Sequence, residues 1–218
     1  MIPTDMLDRA AAELYSGLVS DACDRLGITS RVVKPGLRPA WPGAVLCGNA
    51  RLIHAQATGW QPLTPYARQI DALDGLSADD LVIATVGNDP GCGLWGELFS
   101  TAARARGARG TLVDGNIRDT DRIASMRFPV FNRGFSPEDS LGRLEVVPDV
   151  PSVTVGGVEI LPGDLVFGDI DGVVIVPGGQ AADVLRIAFE KHDSEDTMRD
   201  ELRAGDLLKD AFARHRVL

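Results

Sequence analysis

The feature that most constrains the fold is an alternation of short apolar segments with helix-like segments in the middle of the chain. Residues 80–86, 110–114 and 129–131 are short and apolar, as strands buried on both faces are. Residues 119–126 are predicted to be helical, and so are residues 94–106, whose apolar side chains at helical spacing share one face: Leu94, Leu98, Ala102 and Ala105. Consecutive parallel strands joined by helices require right-handed crossovers, so this order predicts a parallel βαβαβ core.

The segments outside this core predict antiparallel hairpins and terminal helices. Residues 153–160 and 165–176 each place two apolar runs on either side of a glycine-containing turn, which is typical of a hairpin. The other predicted elements are two helices in residues 5–27 with Ser16 as N-cap of the second, a strand at 45–57, a long helix at 179–204 and a short final helix. The predicted fold class is α/β, a layered sandwich with a parallel βαβαβ core extended by antiparallel hairpins, N-terminal helices and a long C-terminal helix.

Composition limits the classes of partner. A chain of 218 residues with 44% hydrophobic residues suits a single domain, residues 1–218, with a sizeable core. The net charge of −9 disfavours nucleic acid and anionic membrane surfaces as partners. No window is apolar enough to span a membrane and the N-terminus does not resemble a signal peptide, so a cytoplasmic location is expected. Three cysteines without CxxC spacing predict buried thiols rather than disulfides or a zinc site.

A glycine-rich loop at residues 88–93 precedes the first helix of the predicted core. Glycines allow close approach of a ligand to the backbone, and the free N–H groups at a helix start bind anions. The loop lacks the GxGxxG and GxxxxGK[ST] patterns, so a nucleotide is not predicted, while a carboxylate fits. Asp89 lies in this loop and could face a pocket, and Glu97 lies at the start of the following helix.

An Arg-Asp pair, Arg118 and Asp119, follows the predicted strand at 110–114 across a short loop. Ligands of open α/β sheets bind at the carboxyl ends of strands. Arginine pairs bidentately with carboxylates, and aspartate is a hard oxygen ligand for Mg²⁺ or Mn²⁺. The lysines, Lys34, Lys191 and Lys209, lie outside residues 87–134, which favours a metal over a Schiff base for any enolate chemistry.

Each of these features taken alone also has an ordinary structural explanation. The glycine loop could be a simple connection between a strand and a helix, and Glu97 could only stabilise the positive end of a helix dipole. Asp119 could cap the following helix while Arg118 forms a surface ion pair. Only their combination within one block of sequence favours a site.

Taken together, these residues resemble a known family, the RraA-like proteins. These include 4-hydroxy-4-methyl-2-oxoglutarate/4-carboxy-4-hydroxy-2-oxoadipate aldolases and ribonuclease E regulators. An acid followed after twenty residues by Arg-Asp is specific, and here it is formed by Glu97 and Arg118-Asp119. The resemblance covers most of the chain through WGE at 95–97, GARG at 107–110, VDGNIRD at 113–119, FPVF at 128–131, RG at 133–134, SDA at 20–22 and PGD at 162–164 with DIDGVVIVP at 169–177.

The resemblance implies a divalent metal, Mg²⁺ or Mn²⁺, held by Asp119 largely through waters. It also implies that Glu97 holds metal-bound water and that Arg118 binds the substrate carboxylate near the enolate oxygen. Backbone N–H groups around residues 93–95 would bind the rest of the carboxylate. The implied substrate-binding residues are Arg118, Gly93, Leu94, Trp95 and Gly96, together with Asp89.

The resemblance further implies a homotrimer or homohexamer with sites at subunit boundaries. Residues 179–218 would form a helical extension that packs on a neighbouring subunit, and Glu195 would enter the neighbour's site. Glu195 continues the apolar stripe of the predicted long helix, which fits packing against another element, although a solvated position at its polar end is the alternative. The chain departs from many aldolases at Arg122, where they carry an acid, and the nearest acid here is Asp121.

The expected function is a metal-dependent carbon–carbon lyase that forms pyruvate from 4-hydroxy-2-oxo acids or oxaloacetate through a metal-stabilised enolate. Arg118, Asp119, Glu97 and Glu195 are the expected catalytic residues, and Asp119 and Glu97 the expected metal-binding residues. Two alternatives remain open. One is a regulator without catalytic activity that binds ribonuclease E, and the other is a sugar-acid dehydratase or another enolate-forming lyase.

Overall fold

The computed structural model describes residues 2–29, 31–61, 63–87 and 91–217. The helices are α1 (Thr4–Glu13), α2 (Ser16–Arg25), α3 (Ala67–Asp74), α4 (Glu97–Ala105), α5 (Thr120–Met126), α6 (Ala181–Arg203) and α7 (Leu208–His215). The strands are β1 (Arg38–Pro39), β2 (Leu46–Ala57), β3 (Asp80–Gly87), β4 (Gly93–Trp95), β5 (Gly110–Asp114), β6 (Asn116–Ile117), β7 (Val130–Asn132), β8 (Gly134–Phe135), β9 (Leu144–Val147), β10 (Val153–Val155), β11 (Val158–Ile160), β12 (Leu165–Gly168) and β13 (Val173–Val176).

The main sheet has the strand order β1-β7-β5-β3-β2-β12-β13, and β9 pairs with the far end of β2. Strands β2, β3, β5 and β7 are mutually parallel, whereas β1, β12, β13 and β9 are antiparallel to their neighbours. The predicted α/β fold with a parallel core extended by antiparallel strands is confirmed. The parallel part is larger than predicted, because β2 and the unpredicted helix α3 add one more crossover before β3.

Apolar side chains alternate between the two faces of this sheet and are buried on both. In β3, Val82 and Ala84 face a cluster formed with α3, α4 and α5, while Leu81 and Ile83 face a cluster that includes the β10–β11 hairpin. A third cluster joins α1, α2 and the first half of α6 to β12 and β13. Helices therefore cover one face of the parallel core and the hairpin covers the other. Both faces must be covered because the strands carry apolar side chains on both.

A small parallel sheet, β4-β6-β8, lies at the carboxyl edge of the main sheet. Strands β6 and β8 each begin within two residues of the end of β5 and β7, and β4 is the next described strand after β3. This arrangement corrects the predicted helix at 94–106. Leu94 and Trp95 belong to β4 because their backbone pairs with β6, and α4 begins only at Glu97.

The buried face of α4 also differs from the prediction. The apolar spacing placed Leu98 toward the core, yet Leu98 is 75% exposed and the buried residues are Ser100 and Ala103. Ser100 tolerates burial because its hydroxyl accepts the indole N–H of Trp95 at 2.8 Å and donates to the carbonyl of Gly96 at 3.1 Å. Small residues thus face the sheet, while Leu98 lies at the surface.

The terminal helices pack on one another within the chain. Ser16 is the first residue of α2 and not its N-cap, because Tyr15 occupies that position. The apolar residues of the first half of α6 are buried with α1 and α2, and packing of residues 179–218 on a neighbouring subunit stays a prediction. The three cysteines are buried thiols, as predicted. Within the described ranges, no helix has the length and apolarity needed to cross a membrane.

Candidate active site

A cleft of about 320 Å³ opens where the small sheet meets α3, α4 and the segment after β8. It lies at the carboxyl edge of the parallel strands, where open α/β sheets bind ligands. The residues that line it are Tyr66, Ile70, Gly93, Leu94, Trp95, Gly96, Leu98, Phe99, Arg118, Asp119, Asp139 and Ser140. Six of the predicted site residues, Gly93 to Gly96 with Arg118 and Asp119, are therefore brought together here.

Arg118 extends into the cleft between two carboxylates. Its backbone N–H donates to the carbonyl of Trp95 at 2.9 Å, which fixes the residue against β4. Its Nε lies 3.9 Å from Oδ2 of Asp119 and its Nη1 lies 3.6 Å from Oδ2 of Asp139. Because 36% of the side chain is exposed, the guanidinium keeps surface available for an anionic ligand.

Asp119 precedes α5 with a left-handed backbone, at φ 58°, and its side chain does not cap that helix. Its Oδ2 accepts the backbone N–H of Glu97 at 3.3 Å. A Cβ at Gly96 would lie 2.8 Å from this oxygen and 3.3 Å from Cγ of Arg118. Glycine at position 96 is thus what allows both side chains to approach the start of α4.

The carboxylate of Glu97 turns away from this cleft along its own helix. Glu97 is the first residue of α4, and its Oε1 accepts the hydroxyl of Thr101 at 2.8 Å. Only the backbone of Glu97 contacts Asp119, so the two carboxylates do not form a joint set of ligands in this conformation. The role of Glu97 in holding metal-bound water stays a prediction.

Gly93, at the end of the glycine loop, meets the segment after β8. The N–H of Gly93 donates to the carbonyl of Glu138 at 2.9 Å. This N–H was predicted to bind the substrate carboxylate, but its hydrogen bond within the chain makes it unavailable. Asn116 of β6 donates through Nδ2 to the carbonyl of Gly91 at 2.9 Å and so holds the loop from the other side. Asp89 lies outside the described residues, and its predicted role stays untested.

Tyr66 and Asp139 line the cleft and were not predicted from the sequence. The hydroxyl of Tyr66 donates to Oδ2 of Asp139. Burial raises the pKa of Tyr66 to about 12, and this hydrogen bond adds to the shift. Burial opposes ionisation of Asp139, but hydrogen bonds from Tyr66 and the N–H of Leu141, with Arg118 nearby, hold its pKa below the ordinary value.

No sequence signal pointed to this pair. Tyr66 has a left-handed backbone, at φ 58°, which is unusual for an aromatic residue and is typical of functional sites. Asp139 lies in a surface segment rich in polar residues, where an acid is unremarkable. Asp121 and Arg122, which follow Asp119 in the sequence, are not part of the site. They are exposed on the first turn of α5 and do not line the cleft.

The donor set fits a largely hydrated divalent ion. Among the described residues there is no group of three or more His, Cys, Asp or Glu side chains suited to hold a metal. Mg²⁺ usually retains several waters and takes one or two protein carboxylates. Asp119, with 42% of its side chain exposed in the cleft, offers such a carboxylate next to Arg118.

Glu195 lies on α6 away from this cleft. Its Oε2 accepts the hydroxyl of Tyr15, and its carboxylate lies 3.5 Å from Nζ of Lys191 and 3.6 Å from Nη2 of Arg199. Its side chain is 16% exposed. Glu195 therefore has partners within its own chain, and its predicted entry into a neighbouring site stays a prediction.

Similar proteins have related sequences and the same fold. The chain is 29% identical over 186 residues to a Halalkalibacterium halodurans protein provisionally named a 4-hydroxy-4-methyl-2-oxoglutarate aldolase, covering 84% of this chain and 81% of that one. It is 24% identical over 214 residues to protein DlpA of Legionella pneumophila, covering 97% of this chain and 34% of DlpA. The chain thus spans about a third of the length of DlpA.

A solved structure agrees with these sequence matches. The crystal structure of Streptomyces coelicolor RraAS2, described as an unusual member of the RNase ES inhibitor RraA protein family, superposes with a TM-score of 0.75 at 27% identity. The superposition covers 91% of this chain and 97% of RraAS2. The family model described as RraA-like, Aldolase/RraA, matches residues 17–175. Since this match takes in most of the 218 residues, the chain belongs to the RraA-like family.

Proposed function

We propose that this protein is a divalent-metal-dependent lyase that releases pyruvate from 4-hydroxy-2-oxo acids or from oxaloacetate. The observation that carries the proposal is the adjacent pair Arg118 and Asp119 in one cleft at the carboxyl edge of the parallel strands. An anion-binding guanidinium beside a metal-binding carboxylate is what an enolate-forming reaction on a 2-oxo acid requires. The provisional aldolase name of the Halalkalibacterium halodurans relative supports the same reaction class.

Three residues of the cleft have a defined task in this proposal. Arg118 binds the substrate carboxylate through the exposed part of its guanidinium and stabilises negative charge that develops on the 2-oxo oxygen. Asp119 would hold Mg²⁺ or Mn²⁺ together with water, and the ion supplies Lewis-acid stabilisation of that charge. Gly96, which has no side chain, leaves room for both side chains at the start of α4.

The chemistry is a cleavage between C3 and C4 of the substrate. In the retro-aldol reaction the C4 hydroxyl loses its proton, C4 becomes a carbonyl carbon, and the electron pair of the breaking bond enters pyruvate enolate. Protonation at C3 then gives pyruvate. Decarboxylation of oxaloacetate breaks the equivalent bond and forms the same enolate, so the same residues serve both reactions.

The decisive experiment measures pyruvate release with Mg²⁺, with Mn²⁺ and after rigorous treatment with EDTA. We expect chelation to lower the rate about 100-fold or more, and readdition of the ion to restore it. Arg118→Ala and Asp119→Asn are expected to lower kcat by a similar factor, since each removes charge stabilisation. Arg122→Ala is the matched control, because Arg122 is exposed nearby and does not line the cleft. Full activity after chelation would refute the metal mechanism.

A second candidate is a protein-binding regulator. The superposition with RraAS2, which is described as belonging to an RNase ES inhibitor family, favours this function specifically. A pull-down with purified ribonuclease E, carried out beside the pyruvate assay, separates the two. Binding of the nuclease without pyruvate release would favour the regulator.

A further inference from the structure

The segment after β8 is attached by its backbone to the small sheet. The N–H of Ser136 donates to the carbonyl of Ile117 at 3.0 Å. The N–H of Gly93 donates to the carbonyl of Glu138 at 2.9 Å, and this pairing places the next residue, Asp139, in the lining of the cleft. The position of Asp139 is therefore set by contacts within one chain.

Gly93 lets this segment and Arg118 approach β4 closely. A Cβ at position 93 would lie 3.1 Å from the carbonyl oxygen of Ser136 and 3.3 Å from that of Glu138. It would also lie 3.4 Å from Cβ of Arg118. Because glycine has no Cβ, the segment and the base of the Arg118 side chain both pack against the same backbone position.

The carboxylate of Asp139 is held at both oxygens. Its Oδ1 accepts the N–H of Leu141 at 3.3 Å, and its Oδ2 accepts the hydroxyl of Tyr66. Its backbone carbonyl accepts Nη1 of Arg143 at 2.9 Å. The same Oδ2 lies 3.6 Å from Nη1 of Arg118, so an oriented negative charge faces the guanidinium.

Tyr66 is itself fixed by the start of α3. Its carbonyl accepts the N–H of Ile70 at 2.8 Å, and its backbone is left-handed at φ 58°. A conformation of this kind is unfavourable for an aromatic residue and persists only where the surrounding structure enforces it. The phenol therefore reaches Asp139 from a defined position.

Arg118 has a long side chain that needs such support. A guanidinium that is already held in place loses less freedom when it binds a carboxylate. Asp119 lies 3.9 Å from its Nε, but in the proposed function Asp119 also holds the metal ion. Among the described residues that line the cleft, Asp139 is the remaining acid within ion-pair distance of Arg118.

We propose that Asp139, oriented by Tyr66, is a positioning residue that fixes the guanidinium of Arg118 for the substrate carboxylate. This inference rests on the proposed lyase function and adds two residues to it. Asp139 does not transfer a proton, because its oxygens are occupied by donors and its lowered pKa makes it a weak base.

The first experiment measures kcat and KM for oxaloacetate in the full-length protein supplied with Mg²⁺. We expect Asp139→Asn to lower kcat/KM about tenfold, because Arg118 loses its orientation. Tyr66→Phe should lower it about threefold, and adding it to Asp139→Asn should have no further effect, since Tyr66 acts through Asp139. Glu138→Gln is the matched control, because its carboxylate lies in the same segment but does not line the cleft.

A double-mutant cycle with Arg118→Ala separates positioning from a merely structural role. If Asp139 acts through Arg118, Asp139→Asn should cause no further loss in the Arg118→Ala background. A tenfold loss in both backgrounds would overturn the inference. The affinity for oxalate, a planar dicarboxylate that resembles pyruvate enolate, gives the same cycle by calorimetry without relying on a slow rate.

The remaining outcomes also decide the inference. A loss of Mn²⁺ affinity in Asp139→Asn as large as in Asp119→Asn would overturn it and make Asp139 a metal ligand. An equal loss of activity in Glu138→Gln would overturn it as well. Tyr66→Phe in the same cycle keeps the test available if Asp139→Asn does not fold. Absence of pyruvate from oxaloacetate and from 4-hydroxy-2-oxo acids would refute the proposed function, whereas the oxalate cycle would still test the positioning of Arg118.

Discussion

Both tyrosines of this chain, Tyr15 and Tyr66, donate their hydroxyls to a carboxylate. Burial raises the pKa of each to about 12, and the hydrogen bonds to Glu195 and Asp139 add to the shift. The phenol remains protonated in the folded protein under conditions in which an unfolded tyrosine would ionise. Each tyrosine therefore acts as a fixed donor over the whole physiological pH range.

This shared environment predicts the alkaline titration of the protein. Because both folded pKa values exceed the ordinary value of 10.0, the contribution of the tyrosines to stability is fully present below pH 10 and is lost as pH rises toward 12. Absorbance of phenolate at about 295 nm should appear with a midpoint near 12 in the native protein and near 10 in denaturant. Tyr15→Phe and Tyr66→Phe assign the two signals, and a native midpoint at the ordinary value would contradict both the burial and the hydrogen bonds of the two phenols.

The substitution Gly96→Ala tests whether Arg118 and Asp119 must occupy their observed positions for activity. The backbone of Gly96 is extended, at φ −149°, so alanine is allowed there and acts only through its Cβ. That atom would displace Asp119 or Arg118, and a shift of this size is expected to lower activity about 100-fold. Gly179→Ala is the control, since nothing lies within 4 Å of its Cβ position. Full activity in Gly96→Ala would show that the pair functions in another arrangement.

At the scale of elements, the β12–β13 turn caps helix α2. Oδ2 of Asp169 accepts the N–H of Ser16 at 2.7 Å, and its Oδ1 accepts the hydroxyl of Ser16 at 2.7 Å. The same Oδ1 accepts the N–H of Asp171 at 2.9 Å and stabilises the turn. Asp169 thus joins the N-terminal helices to the sheet, although the two elements are far apart in sequence.

Removal of this cap should destabilise the whole fold. Asp169→Ala is expected to lower the free energy of unfolding by about 1 kcal/mol or more, because Ser16 loses the acceptor of its N–H at the start of α2. Urea unfolding followed by circular dichroism measures the change. Asp171→Ala in the same turn is the matched control, since the carboxylate of Asp171 is exposed. An equal effect of both substitutions would assign the stability to the turn alone.

Local patterns in the sequence were sufficient for elements whose partners are close in the chain. The two hairpins and strand β5 have the residue ranges that their turn residues and apolar runs predicted. The helix at 94–106 was wrong at its start, because pairing of Leu94 and Trp95 with β6 depends on a contact more than twenty residues away. Sequence periodicity reports only local preference, and here a long-range strand pairing overrides that preference.

In the candidate site, too, residues next to one another in the sequence were predicted, whereas residues from distant segments were missed. Arg118 and Asp119 were predicted because they follow the predicted strand at 110–114 across a short loop. Tyr66 and Asp139 were missed because the chain brings them to the cleft from the residue before α3 and from the segment after β8. Only the folded sheet places these distant segments together, and no spacing in the sequence records that placement.

At the scale of the whole molecule, the single chain leaves two features of the proposed site unexplained. Leu98 is 75% exposed beside the cleft, although exposure of large apolar side chains is unfavourable when they cluster. Glu195, the acid that the family resemblance assigns to a neighbouring site, lies on α6 with Tyr15 and is not part of the cleft of its own chain. The trimer or hexamer that the family resemblance implies would account for both features if a neighbour covers the cleft.

Mixed oligomers test this shared site directly. Arg118→Ala and Glu195→Gln are each expected to be inactive, but a mixed oligomer contains some clefts that combine an intact Arg118 with an intact Glu195 from another subunit. Pyruvate release should therefore recover when the two variants are unfolded and refolded together, and light scattering should report a trimer or hexamer. Mixing Arg118→Ala with Asp119→Asn is the matched control, because both residues belong to one cleft and no mixed oligomer can restore it. If both mixtures stayed inactive, Glu195 would not act in a neighbour's site. It would instead act within its own chain, through its hydrogen bond from Tyr15.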